Sequence, residues 1–205
     1  MELLLIRHGL PVRRELDAGI ADPELSTAGR AQAERLADYL DSEPIDAVYA
    51  SPLKRALETA MPLADRRHVD ITIIDGVAEF DRNSSEYVPV EELKNANDPR
   101  YHALMRGEWN EAEESPTEFS ARVVGAVNAI IDAHPGQRVA ISCHGGVINA
   151  YLGYVLSLPP GPGFFYPNYT SIHRIAASRA GVRSILTINE TAHLRGSGLP
   201  IGLMQ

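Results

Sequence analysis

A chain of 205 residues can bury one substantial hydrophobic core, and a second independent domain would be cramped. Its 44% hydrophobic and 22% charged residues fit a globular chain rather than a disordered one. The net charge of -8 argues against a broad nucleic-acid-binding surface, which needs clustered Lys and Arg, and no run approaches the roughly 18 apolar residues of a membrane span.

In chain order, "ELLLI" (2–6) is a short continuous apolar run, the pattern of a strand covered on both faces. Within 22–43, Ser26 or Thr27 is the expected N-cap of a helix, followed by Ala28, Ala31, Leu36, Ala37 and Leu40 near helical spacing. "DAVYA" (46–50) predicts a second strand and "SPLKRALETAMPLA" (51–64) a helix capped by Ser51 with Pro52 in its first position; "ITIID" (71–75) predicts a third strand. Residues 76–118 are rich in Asp, Glu, Asn and Pro and only weakly periodic, which predicts an insertion with short helices beside a site.

Regular patterning returns in 117–134, where Phe119, Val123, Val127, Ile130 and Ile131 share one helical face. "QRVAISC" (137–143) predicts a strand, "GVINAYLGYVLSL" (146–158) an apolar helix, and 170–177 with 182–189 a closing hairpin around "SRAG". Strands alternating with helices over short links predict a single α/β domain spanning 1–205: a three-layer sandwich with a mainly parallel central sheet flanked by helices.

In such sheets ligands bind beyond the carboxyl ends of the strands. Arg7, His8 and Gly9 follow the first strand, Ser51 to Arg55 the second, Glu79 the third, and His144 to Gly146 follow "VAISC". The order therefore directs two arginines, two histidines and one carboxylate to one edge. Guanidinium forks on Arg7 and Arg55 match phosphate oxygens and stabilise charge in the transition state. An imidazole among such cations is biased to its neutral form, with a lone pair free to attack phosphorus. The other histidine can donate to an equatorial oxygen. Gly145 and Gly146, opening a helix, would let backbone amides approach the ligand. Glu79 is placed to protonate a leaving alcohol and later to take a proton from water, with Asp81 and Glu86 as neighbouring carboxylates.

"LLLIRHG", "ELSTAGRAQAERLADYL", "VYASPLKRALETA", "VAEFD" and "VAISCHGGVINAYL", continued by "NYTSIHRI" and "INETAHL", resemble the successive signature segments of the histidine phosphatase superfamily, the phosphoglycerate-mutase-like group. The resemblance implies a phosphohistidine on His8, phosphoryl binding by Arg7, Arg55 and His144, proton transfer by Glu79, and no metal or other cofactor. The chain departs from the family where Thr and Asn are frequent three and six residues after the nucleophile: it has Pro11 and Arg14. Arg13 and Arg14 then either offer charge to a second acidic group of the substrate or are solvated surface cations. Mutases of the family tend to carry a basic insertion, whereas residues 76–118 are acidic and polar, which favours a hydrolase of small phosphoesters. A mutase and a non-catalytic phospho-ligand-binding module are the alternatives, and a homo-oligomer is left open.

Other features have plainer readings. Cys143 has no arginine six residues on, as cysteine phosphatases require, and reads as a buried strand residue; position 149 is Asn. Being alone, it gives no reason to expect an oxidising compartment, and "MELLLI" lacks the basic start and length of a secretion signal, so a cytoplasmic location is expected. His68, His102, His134, His173 and His193 show no paired metal-ligand spacing. The aromatic, Pro/Gly-rich stretch 157–169 lines a pocket or crosses the surface, and Trp109 is a lid residue or a packing anchor.

Overall fold

In the computed structural model, which describes residues 1–106, 108, 114–161 and 163–203, a six-stranded sheet is covered by helices on both faces. The order of elements is β1 (Glu2–Arg7), β2 (Arg14–Glu15), α1 (Thr27–Tyr39), β3 (Ala47–Ala50), α2 (Lys54–Arg67) and β4 (Ile71–Ile73). There follow β5 (Glu86–Tyr87), α3 (Val90–Asn95), α4 (Pro99–Met105), α5 (Pro116–Ala133), β6 (Arg138–Cys143), α6 (Gly145–Val155), β7 (Ile172–Ala177) and β8 (Arg183–Glu190). Across the sheet the strands run β4-β3-β6-β1-β7-β8. The first four are parallel and the terminal hairpin is antiparallel, so the expected mainly parallel sheet is found.

β1 lies centrally between β6 and β7, which is why "ELLLI" is apolar without alternation. Leu3 and Leu5 pack with Val123, Val127, Val147 and Ile148 of α5 and α6, whereas Leu4 and Ile6 pack with Leu36, Leu40 and Leu63 on the α1 and α2 side. Leu3 to Ile6 are at most 2% exposed, and each such side chain contributes about 1.5–3 kcal/mol of transfer free energy. The five predicted core residues of α5 are all buried, and the helix starts with a capping box of Ser115 and Glu118.

Several boundaries differ from expectation. α2 begins at Lys54 after a Leu53 N-cap, so Ser51 is not a helix cap; Pro52 precedes the helix, and the Ser51 hydroxyl is engaged elsewhere. Ser26 rather than Thr27 caps α1, by accepting the Gly29 N–H at 3.1 Å. The buried face of that helix adds Gln32 and Ala33 to Leu36 and Ala37, while Ala28 and Ala31 are only half-buried. β4 is a three-residue edge strand whose Thr72 and Ile73 are exposed, and the chain then makes a 3₁₀ turn at Asp75–Val77. α6 ends at Val155, three residues short of the expected end. In the 76–118 segment, β5 pairs antiparallel with β2 into a two-residue ribbon and is followed by α3 and α4; Trp109 lies outside the described residues.

Candidate active site

Arg7 ends β1 and His8 follows it, still tied to the sheet because the His8 N–H donates to the Cys143 carbonyl at 2.9 Å. Beyond His8 the loop is fastened to both helices on one face. Gly9 N–H donates to Thr59 Oγ1 of α2 at 2.9 Å, and Leu10 N–H donates to Gln32 Oε1 of α1 at 2.7 Å. Gly9 crosses Gly29 so closely that a Cβ at Gly9 would lie 2.7 Å from the Gly29 carbonyl oxygen. His8 is only 2% exposed. Its Nδ1 is 2.8 Å from the Gly9 carbonyl oxygen, which can only accept, so Nδ1 carries the proton and Nε2 keeps its lone pair. Burial first, then the charges of Arg55 and Arg7, lowers the His8 pKa well below the ordinary histidine value, so the ring is neutral at neutral pH.

The two arginines are fixed in the same manner. Arg7 Nη1 donates to the Pro167 carbonyl at 2.7 Å, and its guanidinium carbon lies 4.3 Å from the Tyr169 ring centre and 4.8 Å from that of Tyr166. Arg55 Nη2 donates to Asp81 Oδ1 at 3.0 Å, and its guanidinium carbon lies 4.6 Å from the Tyr87 ring centre. In each case Nε is buried and, among the described residues, has no hydrogen-bond partner. Each guanidinium is thus anchored through one nitrogen and keeps donor capacity, an arrangement suited to an anion.

His144, fully buried, precedes the first residue of α6. Its ring centre is 5.2 Å from that of His8 and its Nε2 is 2.7 Å from Ser51 Oγ. Its Nδ1 is another buried atom with no partner among the described residues. Burial, then Arg55 and the other nearby side chains, holds its pKa well below the ordinary value. Glu79, 6% exposed, accepts Gly146 N–H at 2.8 Å and Phe80 N–H at 3.1 Å. Its pKa is pushed up to about 7, mainly by burial and next by the like charge of Asp81, against the pull of those amides and of Arg55. A Cβ at position 146 would collide with Glu79 Oε1, so any side chain there would push the carboxylate out of its present place.

Arg7, His8, Arg55, Glu79 and His144 therefore converge at the carboxyl ends of β1, β3 and β6, with Gly145 beside Arg7. Two sequence expectations fare differently. The Gly146 amide serves Glu79 rather than standing open to a ligand. Arg14 lies on the β2–β5 ribbon with its guanidinium on Glu24 at 2.8 Å. Arg13 is paired with Glu15 and Glu92. Of the alternative carboxylates, Asp81 is held by Arg55, and exposed Glu86 pairs with Arg100 at 2.7 Å. Cys143 is buried as expected. Among the described residues, no group of three or more His, Cys, Asp or Glu side chains has the geometry to hold a metal.

Sequence reasoning did not find Tyr87, which meets His8 edge-on at 6.4 Å and stacks under Arg55. It left the 157–169 loop open between lining a pocket and crossing the surface; Tyr166 and Tyr169 pack on Arg7, while Phe164 is exposed. It also read Ser51 as a cap. The proximity of "SP" to the end of a strand was the available signal, because a hydroxyl at that edge faces whatever the next strand delivers.

Comparison with known proteins agrees with this geometry. The family model described as histidine phosphatase superfamily (branch 1) matches residues 3–191. Phosphoserine phosphatase 1 of Hydrogenobacter thermophilus is 31% identical over 95% of this chain and 94% of its own. Phosphoglycerate mutase-like protein 4 of Arabidopsis thaliana is 30% identical over 73% of this chain and 68% of its own. The solved structure of a mycobacterial glucosyl-3-phosphoglycerate phosphatase shares the fold with a TM-score of 0.74 at 22% identity, covering 93% of this chain and 99% of that one. Among the described residues no helix is long and apolar enough to cross a membrane. Matched along nearly its whole length and carrying the paired Arg and His residues at the strand ends, the chain belongs to the histidine phosphatase superfamily.

Proposed function

We propose that the protein is a metal-independent phosphomonoester hydrolase working through a phosphohistidine on His8. One observation carries this reading: a buried neutral imidazole with a free Nε2, beside two arginines anchored through Nη and a second buried imidazole. In the first step Nε2 of His8 attacks phosphorus and the bond to the ester oxygen breaks. Arg7, Arg55 and His144 hold the non-bridging oxygens, and Glu79 gives its proton to the departing alkoxide. In the second step water attacks the phosphohistidine, Glu79 takes the proton of that water, and inorganic phosphate leaves with His8 restored.

The Ser51 hydroxyl accepts Leu53 N–H at 3.3 Å and lies 2.7 Å from His144 Nε2, and in this reading it gives its own proton to that nitrogen. That leaves the His144 proton on Nδ1, ready to donate to a phosphoryl oxygen. A pKa of about 7 suits Glu79 to give a proton and take one back near neutrality. The relatives support hydrolysis of small phosphorylated metabolites, since one is a phosphoserine phosphatase. The chain reads as one domain whose 76–118 segment brings Glu79, Asp81 and Tyr87 to the site, in a protein of cytoplasmic location with Cys143 as a free thiol.

The test is phosphate release from a panel of sugar phosphates, phosphoglycerates, phosphoserine, nucleotides and an activated aryl phosphate, in EDTA, with His8→Ala as control. Metal-independent release that vanishes in the variant is expected. Isomerisation of a phosphoglycerate primed by its bisphosphate, without phosphate release, would replace the hydrolase with a mutase.

A further inference from the structure

Arg7 takes its place from a peptide that other side chains hold. Its Nη1 donates to the Pro167 carbonyl at 2.7 Å, and the N–H of that same peptide unit, on Asn168, donates to Asn189 Oδ1 at 2.7 Å. A trans peptide is planar and points its N–H and C=O in opposite directions, so gripping the Asn168 N–H aims the Pro167 carbonyl. Asn189 Nδ2 also donates to the Tyr166 carbonyl at 3.2 Å, so one amide side chain holds the peptides on both sides of Pro167.

An irregularity in β8 puts Asn189 there. The register with β7 shifts between the pairs Glu190 with Ile172 and Thr187 with Arg174, so that two residues, 188 and 189, stand opposite His173 alone. Asn189 takes the left-handed conformation in this bulge, with φ 59°, which asparagine adopts more readily than most residues, and its backbone N–H donates to His173 Nδ1 at 3.2 Å. At the other end of the segment, Asn149 of α6 accepts Phe164 N–H at 2.9 Å and donates to the carbonyls of Gly145 and Phe165 at 2.9 and 3.1 Å. Gly163, with φ 95°, packs so closely on that amide that a Cβ would come within 2.9 Å of it. Two asparagines from two elements thus fix residues 163–169, a stretch without periodic pattern, by bonding its backbone.

We propose that Asn189, seconded by Asn149, is a positioning residue for Arg7: by holding the Pro167 peptide it sets the angle at which the guanidinium meets a phosphoryl group. The consequence for phosphoryl binding rests on the phosphatase reading of the site, and the mount itself rests on geometry alone.

The experiment has two arms on the full chain. In the first, protein labelled with ¹⁵N in arginine is observed by NMR, and the Nη1 protons of Arg7, held on the Pro167 carbonyl, are expected as a resolved signal in the wild type, assigned by its loss in Arg7→Lys. Asn189→Gly keeps the left-handed backbone and removes the amide, and Asn149→Ala keeps a good helix former; both are expected to abolish that signal. No resolved signal in the wild type, or one left unchanged in Asn189→Gly, overturns the proposal. Thermal melting monitors the fold, and Asn149→Ala carries the same test should Asn189→Gly not fold.

In the second arm, calorimetry gives the affinity for inorganic phosphate of the wild type, Asn189→Gly, Arg7→Lys and the double variant. The Kd is expected to rise about tenfold in Asn189→Gly, the equivalent of roughly one charge-assisted hydrogen bond, and to rise no further when the change is added to Arg7→Lys. A residue that merely stabilised the fold would weaken binding equally in both backgrounds, and that result overturns the proposal. Weakened binding in Arg7→Lys with unchanged binding in Asn189→Gly also overturns it, and leaves the phosphatase reading standing. An Arg7→Lys that binds phosphate no worse than the wild type, with the NMR signal lost in Asn189→Gly, upholds the mount and removes the phosphatase reading of Arg7 instead.

Discussion

The floor of the site and its wall are built differently. The floor comprises the ends of β1 and β6 with the starts of α2 and α6, and its functional side chains, Arg7, His8, Arg55 and His144, are at most 6% exposed. Arg7 is bonded to the Pro167 carbonyl, His8 to the Gly9 carbonyl, His144 to Ser51 and Arg55 to Asp81, and the loop after His8 is fastened by Gly9 N–H on Thr59. The wall, from the β2–β5 ribbon to α4, is held by ion pairs among exposed and half-buried groups, such as Arg13 with Glu15 and Arg100 with Glu86 and Asp98. Buried hydrogen-bond networks are costly to disturb, and exposed ion pairs contribute roughly 0–1 kcal/mol each. Under the proposed function, the floor should tolerate little change and the wall should tolerate much.

Substitutions can break or sharpen that contrast. His8→Ala should lower phosphate release by more than about a thousandfold with an unchanged circular dichroism spectrum, because the nucleophile itself is lost. Near-normal turnover in that variant would refute the assignment. Gly146→Ala should displace Glu79 and slow alkyl esters by about 10- to 100-fold while sparing activated aryl esters; steady-state kinetics on both classes decides it, and equal loss on both would place the damage elsewhere. The pH profile follows from the same carboxyl. Glu79 must be protonated to act as acid, so kcat/KM for alkyl esters should fall as pH rises through about 7; burial keeps His8 neutral, so no loss is expected on the acid side until well below 6.5.

Ser51→Ala should leave the His144 tautomer unfixed and the buried Nε2 unpaired, costing about tenfold in kcat and about 1–3 kcal/mol of stability, measured by turnover and denaturant unfolding together. At the other extreme, Arg100→Ala removes three ion pairs from the wall yet should change unfolding free energy by less than about 1 kcal/mol. A loss of several kcal/mol on denaturant unfolding would show that the wall is as tightly integrated as the floor.

The same contrast explains what could be read from the sequence. The floor was legible because its residues sit where an apolar run ends: Arg7 and His8 after "LLLI", His144 after "VAISC". Strand geometry alone then brings them to one edge. The wall was not, because ribbon pairing of Arg14 with Tyr87 depends on two-residue strands that carry no periodicity. Nor could a sequence pattern distinguish Ser51 as a helix cap from Ser51 as a partner of His144, since both uses ask for a hydroxyl just before a helix. Glu79 was placed at this edge by its position past the third strand and by the resemblance carried in part by "VAEFD", but its tie to Gly146 is a contact across 67 residues.

The bond from His8 Nδ1 to the carbonyl of the very next residue has a consequence for the chemical form of any covalent intermediate. Imidazole has two inequivalent nitrogens, and a free histidine in solution exposes both. Here one is occupied by the peptide that anchors it, so a phosphoryl group can attach only at Nε2, and the regioisomer is decided by the backbone before any substrate arrives. The trapped adduct should therefore be a single species, with one ³¹P–¹⁵N coupling in a doubly labelled ring, at the nitrogen remote from the main chain.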